Sequence, residues 1–147
     1  AVSHDAADPI GINVFSGKDK ATVVTDTGII SDDILHRIDD STLLVLEANY
    51  DPHMLRFGPY QPFLKQRVAS DEGHLSNEMA AQALLMMKRP DFMQVILAHR
   101  SENNNNAVLV TQTIGKMLVD GGVRIGPEMK LQHGQPNEIV SMQSIKR

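Results

Sequence analysis

Three residues capable of metal or proton chemistry follow three apolar runs of this chain. Ala21–Thr25 leads into Asp26, Thr42–Leu46 into Glu47, and Gln94–Ala98 into His99. Runs so rich in Val, Leu and Ile suit strands covered on both faces. In open α/β sheets, ligands bind beyond the carboxyl ends of such strands. Every strand must end in something polar, so one such residue is ordinary; the succession Asp, Glu, His is what points to a site. His74 adds a fourth group, in Gly73-His74-Leu75-Ser76-Asn77 just before a helix start. Backbone N–H groups there can hold an anion such as phosphate, while Ser76 and Asn77 serve equally as plain caps. His4, in Ser3-His4-Asp5-Ala6-Ala7-Asp8-Pro9, has carboxylates nearby to orient its ring. His36, His53 and His133 lie in helix, loop and tail contexts and carry no expected role.

Composition narrows the chemistry. The 147 residues have room for one domain and one core. With 41% hydrophobic and 22% charged residues, the balance is that of a soluble globular chain, not a disordered one. No cysteine is present, which excludes disulfides, iron–sulfur clusters, thiolate zinc sites and cysteine nucleophiles. Imidazole and carboxylate remain as donors for zinc or manganese. His4, Asp26 and His99 are too far apart in sequence for a local finger, so a site using them is assembled by the sheet. The net charge of −4 leaves any nucleic-acid contact local; Arg56, Lys65 and Arg67 are the candidates, and ordinary solvation explains them equally well. No run approaches the roughly 18 apolar residues of a membrane span, and no signal peptide is visible, so a cytoplasmic location without membrane contact is expected. The opening Ala1-Val2-Ser3-His4 reads like a segment that starts mid-fold.

The elements that must position these groups alternate, which predicts an α/β fold. Gly11–Phe15 and Ala21–Thr25 flank a Ser16-Gly17-Lys18-Asp19 turn and should form an antiparallel hairpin. Helices are expected from the Ser31-Asp32-Asp33 cap to about Ile38, from Ser76-Asn77-Glu78 to about Lys88, and from about Ala107 to Asp120. In the second, Met79, Ala80, Ala83, Leu84 and Met87 form the inward stripe; in the third, Val110, Ile114, Met117 and Leu118 do. One domain over 1–134 and a loosely ordered tail over 135–147 complete the expected organisation.

Five ordered segments carry a family resemblance: Ser3–Pro9; Thr25-Asp26-Thr27-Gly28; Glu47-Ala48-Asn49-Tyr50-Asp51 with Met54-Leu55; Gly73–Glu78; and Leu97–Ser101 with Asn103-Asn104. Over about 1–125 the chain resembles the C-terminal half of the metallo-β-lactamase-fold hydrolases of the YycJ/WalJ type, relatives of ribonuclease Z. The resemblance implies half of a four-layer αββα sandwich with a two-metal site, zinc or manganese, along one edge. It makes His4, Asp26 and His99 metal ligands, with Asp26 bridging. It makes His74 the proton donor to the leaving oxygen and Glu47 its orienting carboxylate, with Ser76, Asn77 and Asn49 as substrate contacts. The implied activity is a phosphodiesterase, most of all an exonuclease on DNA or RNA.

The chain departs from the family in three places. The defining His-x-His-x-Asp-His segment is absent, so the expectation is a site completed by a missing N-terminal half, with this chain inactive alone. Pro59-Tyr60-Gln61-Pro62 stands where relatives more usually carry Tyr-Pro-Trp. Arg100 stands where leucine is frequent, and is read as solvated rather than as a phosphate contact. Two alternatives remain: a hydrolase of another ester, thioester or β-lactam, or an inert piece that only docks on a partner half. An uncovered apolar sheet face would then promote association, a homo-oligomer included.

Overall fold

The computed structural model describes residues 1–141. Residues 142–147, the end of the expected tail, lie outside the described residues. The chain runs β1 (Ile12–Ser16), β2 (Asp19–Val24), α1 (Asp32–Ile38), β3 (Leu43–Glu47), α2 (Pro52–Phe57), α3 (Pro62–Val68), α4 (Asn77–Met86), β4 (Met93–Ala98), α5 (Ala107–Asp120) and β5 (Met129–His133). One mixed sheet holds the strands in order β1-β2-β3-β4-β5. The hairpin β1–β2 is antiparallel; β2–β3, β3–β4 and β4–β5 are parallel. Parallel neighbours need crossovers of a dozen or more residues, which the intervening helices supply. The architecture is α/β, as the alternation of elements requires.

The three long-range helices begin where their caps demand. Ser31 and Ser76 accept from the backbone N–H groups of Ile34 and Met79, and Asn106 accepts from Leu109. α5 ends at Gly121, with Gly122 at φ +85°, a conformation glycine adopts without Cβ penalty. α4 stops at Met86, short of Lys88, because Met87 leaves helical geometry with ψ at 150°.

Two helices and a strand depart from the expected elements. α2 and α3 fill what read as a loop, so His53 is helical. Each is too short to show a helical period, and each starts on a proline at its first turn. β5 contains His133, which read as tail. Met129 and Leu131 alternate there with Lys130 and Gln132, too few apolar positions to mark a strand without its β4 partner.

The two faces of the sheet differ. Val24, Leu44, Leu46, Met93, Val95, Leu97 and Met129 join Ile34, Ile38, Ala80, Leu84, Ile114 and Leu118 in one core. The opposite parity carries Ile12, Val14, Ala21, Val23, Leu43, Val45 and Ile96. None of these belongs to a core cluster, and Ile12, Val14 and Val23 are 49%, 58% and 36% exposed. Among the described residues no helix is long and apolar enough to cross a membrane.

Candidate functional site

The site lies at the carboxyl ends of β2, β3 and β4 and at the start of α4. Glu47, the last residue of β3, is fully buried. An ionised carboxylate survives burial only if its lone pairs are satisfied. Here Oε1 accepts from His74 Nδ1 at 2.8 Å and from His99 Nδ1 at 2.6 Å. Oε2 accepts from the backbone N–H of Thr27 at 3.1 Å and of Leu75 at 3.3 Å. Burial alone would raise the Glu47 pKa, but the bonds from His74 and His99, with the Thr27 amide, outweigh it and leave it lowered. The bond to Glu47 raises the His99 pKa against the opposing effect of burial; the charges of Glu47 and Asp26 add to the rise.

A donor bond from Nδ1 in each ring leaves Nε2 as the nitrogen available for other chemistry. His99 Nε2 stands 3.6 Å from Asp26 Oδ1. That is too long for a hydrogen bond and close to the ~3.4 Å that separates two donors each about 2.1 Å from one ion. Asp26, Glu47, His74 and His99 each offer one donor atom, and these atoms lie within 4.8 Å of one another. Glu47 already has all four acceptor positions engaged, so its place is behind the imidazoles, the arrangement in which carboxylates fix the tautomer of ligating histidines. Imidazole and carboxylate oxygen are the donors zinc and manganese take. The donor set fits a divalent ion.

The backbone that holds these groups is itself strained. Asp26 and His99, at the ends of β2 and β4, adopt left-handed φ values of 56° and 54°. Such non-glycine conformations cost energy and gather where side chains must be aimed. Two glycines allow close packing of loops here, Gly73 against the last turn of α3 and Gly28 against Ser70 and Asp71 just beyond it. A Cβ on Gly28 would sit 2.3 Å from the Ser70 carbonyl oxygen, and one on Gly73 2.2 Å from that of Arg67.

The remaining expected residues fall as follows. The His4 ring is 5.3 Å from that of His74, which is 5.1 Å from that of His99, so the three imidazoles form a row. His4 Nδ1 accepts from the Ala6 N–H at 3.0 Å, which puts the proton of the neutral ring on Nε2; His4 lies outside the four-residue donor group. Asp5, expected to orient His4, has Oδ1 3.3 Å from His4 Nδ1 and also takes Arg67 in a two-bond fork. Asn49 donates to the His99 carbonyl at 2.7 Å. Ser76 caps α4 at 4% exposure, and Asn77 is fully buried with its amide paired to Asn105. Neither side chain faces solvent.

Asn105, in the run Asn103-Asn104-Asn105-Asn106 that ends at the α5 cap, has a role that the sequence reading does not assign. Its amide nitrogen donates to the Ala48 and Asn49 carbonyls and to Asn77, tying the loop after Glu47 to the helix after His74. A four-asparagine run at a helix start was the only signal. The two backbone donors to Glu47 left none, since Thr27 and Leu75 act through main-chain atoms.

No family model matches the chain. It is 33% identical over 144 residues to the exodeoxyribonuclease YycJ of Bacillus anthracis, covering 98% of this chain and 54% of that protein. It is 32% identical over 144 residues to the exodeoxyribonuclease WalJ of Streptococcus pneumoniae, with the same coverage. The chain spans about half the length of these curated relatives. With Asp26, Glu47, His74 and His99 gathered at its strand ends, the chain is similar over nearly its whole length to about half of the YycJ and WalJ proteins.

Proposed function

We propose that the chain is the C-terminal half of a metallo-β-lactamase-type αββα sandwich whose edge carries a metal-dependent phosphodiesterase site acting on nucleic-acid strands. The observation that carries this reading is the double acceptance by buried Glu47 Oε1 of His74 and His99, with Asp26 at ligand spacing from His99 Nε2. Two divalent ions, zinc or manganese, would be held by His4, Asp26 and His99, with further donors from the half of the family's length that this chain does not span. His4 can serve through Nδ1, or through Nε2 in the tautomer that carries the proton on Nδ1, once the Ala6 amide is released.

Bound divalent ions supply Lewis-acid polarisation of a phosphoryl oxygen and a nucleophile at neutral pH. The chain's own residues supply the rest. Glu47 fixes both rings with Nδ1–H inward. His99 thereby presents Nε2 as a ligand. His74 presents Nε2–H, when protonated, as donor to the departing oxygen of the strand. Ser76, Asn77 and Asn49, expected to touch substrate, act in this reading by holding the two loops in register, because their side chains are spent on protein partners.

The open sheet face favours work in company over work alone. Half of an αββα sandwich must leave that apolar surface uncovered, and the other half would cover it.

The test joins the chain to the other half of the family's length, loads Mn²⁺ or Zn²⁺, and assays single-stranded DNA and a bis-aryl phosphodiester. Turnover that falls by about 10²–10⁴ in His74→Ala supports the reading. Full metal occupancy with no turnover of either substrate, or faster turnover of a thioester or lactam, overturns it.

A further inference from the structure

The cleft beside the imidazoles has a wall for which the hydrolytic chemistry finds no use. A cavity of about 350 Å³ opens between α3 and the 99–103 loop, with Tyr60, Leu64, Arg67 and Arg100 facing His74 and His99. That is the size of small-ligand sites, about 300–1,000 Å³. Tyr60 and Leu64 pack against Tyr50, Leu55 and Val68, so the aromatic wall is backed and held in place. The two guanidiniums differ. Arg67 is committed to Asp5 through bonds of 2.5 and 2.9 Å. Arg100, half-buried, makes no hydrogen bond or ion pair among the described residues. A partly desolvated guanidinium without a partner is a seat for an oxyanion, which it holds through paired N–H donors. Glu102 stands on the same rim. One uncommitted cation opposed by one carboxylate suits a single phosphate rather than a run of them.

We infer that this cleft is a subsite for one nucleotide of the substrate strand, with its base against Tyr60 and Leu64 and its phosphate on Arg100. The inference rests on the nuclease reading of the adjoining imidazoles and says where the strand lies relative to them. It reverses the expectation that Arg100 is merely solvated. Base–aromatic stacking tolerates any base, so the subsite selects nucleotides without selecting sequence.

The experiment uses the chain joined to the other half of the family's length and reads binding apart from turnover. Calorimetric titration with deoxyadenosine 5′-monophosphate and with inorganic phosphate should show the nucleotide binding about tenfold more tightly. Tyr60→Ala should remove that advantage, and Tyr60→Phe should keep it. Arg100→Leu should weaken both ligands about tenfold, with partial recovery in Arg100→Lys. Because Arg100 belongs to no core cluster, its variants keep the test open if Tyr60→Ala does not fold. In kinetics, Tyr60→Ala should raise KM for a single-stranded oligonucleotide relative to methyl p-nitrophenyl phosphate, which has no base. Strand cleavage with nucleotide affinity and KM untouched in both variants overturns the subsite and leaves the nuclease reading standing. Nucleotide binding that depends on Tyr60 and Arg100, with no cleavage of any phosphodiester, supports the subsite and overturns the nuclease reading.

Discussion

The two faces of the sheet are built from the same residue types and meet opposite fates. Leu44, Leu46, Val95 and Leu97 are at most 2% exposed beneath the helices, while Ile12 and Val14 on the other parity are 49% and 58% exposed. Along β3, Leu44 and Leu46 are buried and their neighbours Leu43 and Val45 only partly so. A strand with one solvated face normally alternates apolar and polar residues; β3 does not. The continuous run is a record of two dry faces, and only one is covered among the described residues. Glu47 belongs to the open-face parity yet is fully buried, because the loops carrying Thr27, His74 and His99 close over that end of the strand. The site therefore lies where the open face meets the strand ends, accessible to a second layer.

The sharpest contrast comes from truncating neighbours on β3. Leu46→Ala should cost about 3 kcal/mol of unfolding free energy in urea, as core truncations do, and Val45→Ala less than about 1 kcal/mol in the chain alone. Equal losses would show that both faces are covered in solution. Once the other half is joined, the Val45→Ala loss should rise towards that of Leu46→Ala.

Glu47→Gln should come next, on the order of 2 kcal/mol, because a buried acceptor of four donors is replaced by a group that can satisfy fewer. Its pH dependence has a definite sign in the metal-free chain. The lowered Glu47 pKa contributes stability above the ordinary value of 4.5 that is lost as pH falls through the lowered one. The raised His99 pKa contributes stability below 6.5 that is lost as pH rises through the raised one. The difference between parent and variant should therefore be greatest between pH 4.5 and 6.5, and should shrink on either side. A difference independent of pH would assign the Glu47 effect to packing alone.

The smallest effect concerns the open face itself. Val14→Lys should leave the stability of the chain alone within about 0.5 kcal/mol, since the side chain is already largely in water. It should also lower self-association measured by sedimentation and weaken joining to the other half. Unchanged association would mean that this patch covers nothing.

Much of the fold was visible in the chain as letters. The Ser31 and Ser76 caps, the Gly121-Gly122 stop and the hairpin around Gly17 are local signals, set by backbone hydrogen bonding within a few residues. Strand ends with Asp26, Glu47 and His99 were visible for the same reason: each apolar run stops at a polar group. α2, α3 and β5 were not, since two are one or two turns long and the third has two apolar positions. They exist because the Tyr50–Leu55–Val68 cluster and the β4 ladder hold them.

What the amino-acid order determined by itself was an alternating α/β layer whose strands close on residues able to hold ions and move protons, for periodicity and capping act over short distances. What only the tertiary structure decided was the division of labour. Glu47 stands behind two imidazoles instead of one. Asn77 and Asn105 brace loops. Arg67 is neutralised by Asp5, while Arg100 makes no hydrogen bond or ion pair among the described residues. Those assignments depend on which side chains from distant segments compete for the same partners, and that competition is settled only when the chain is packed.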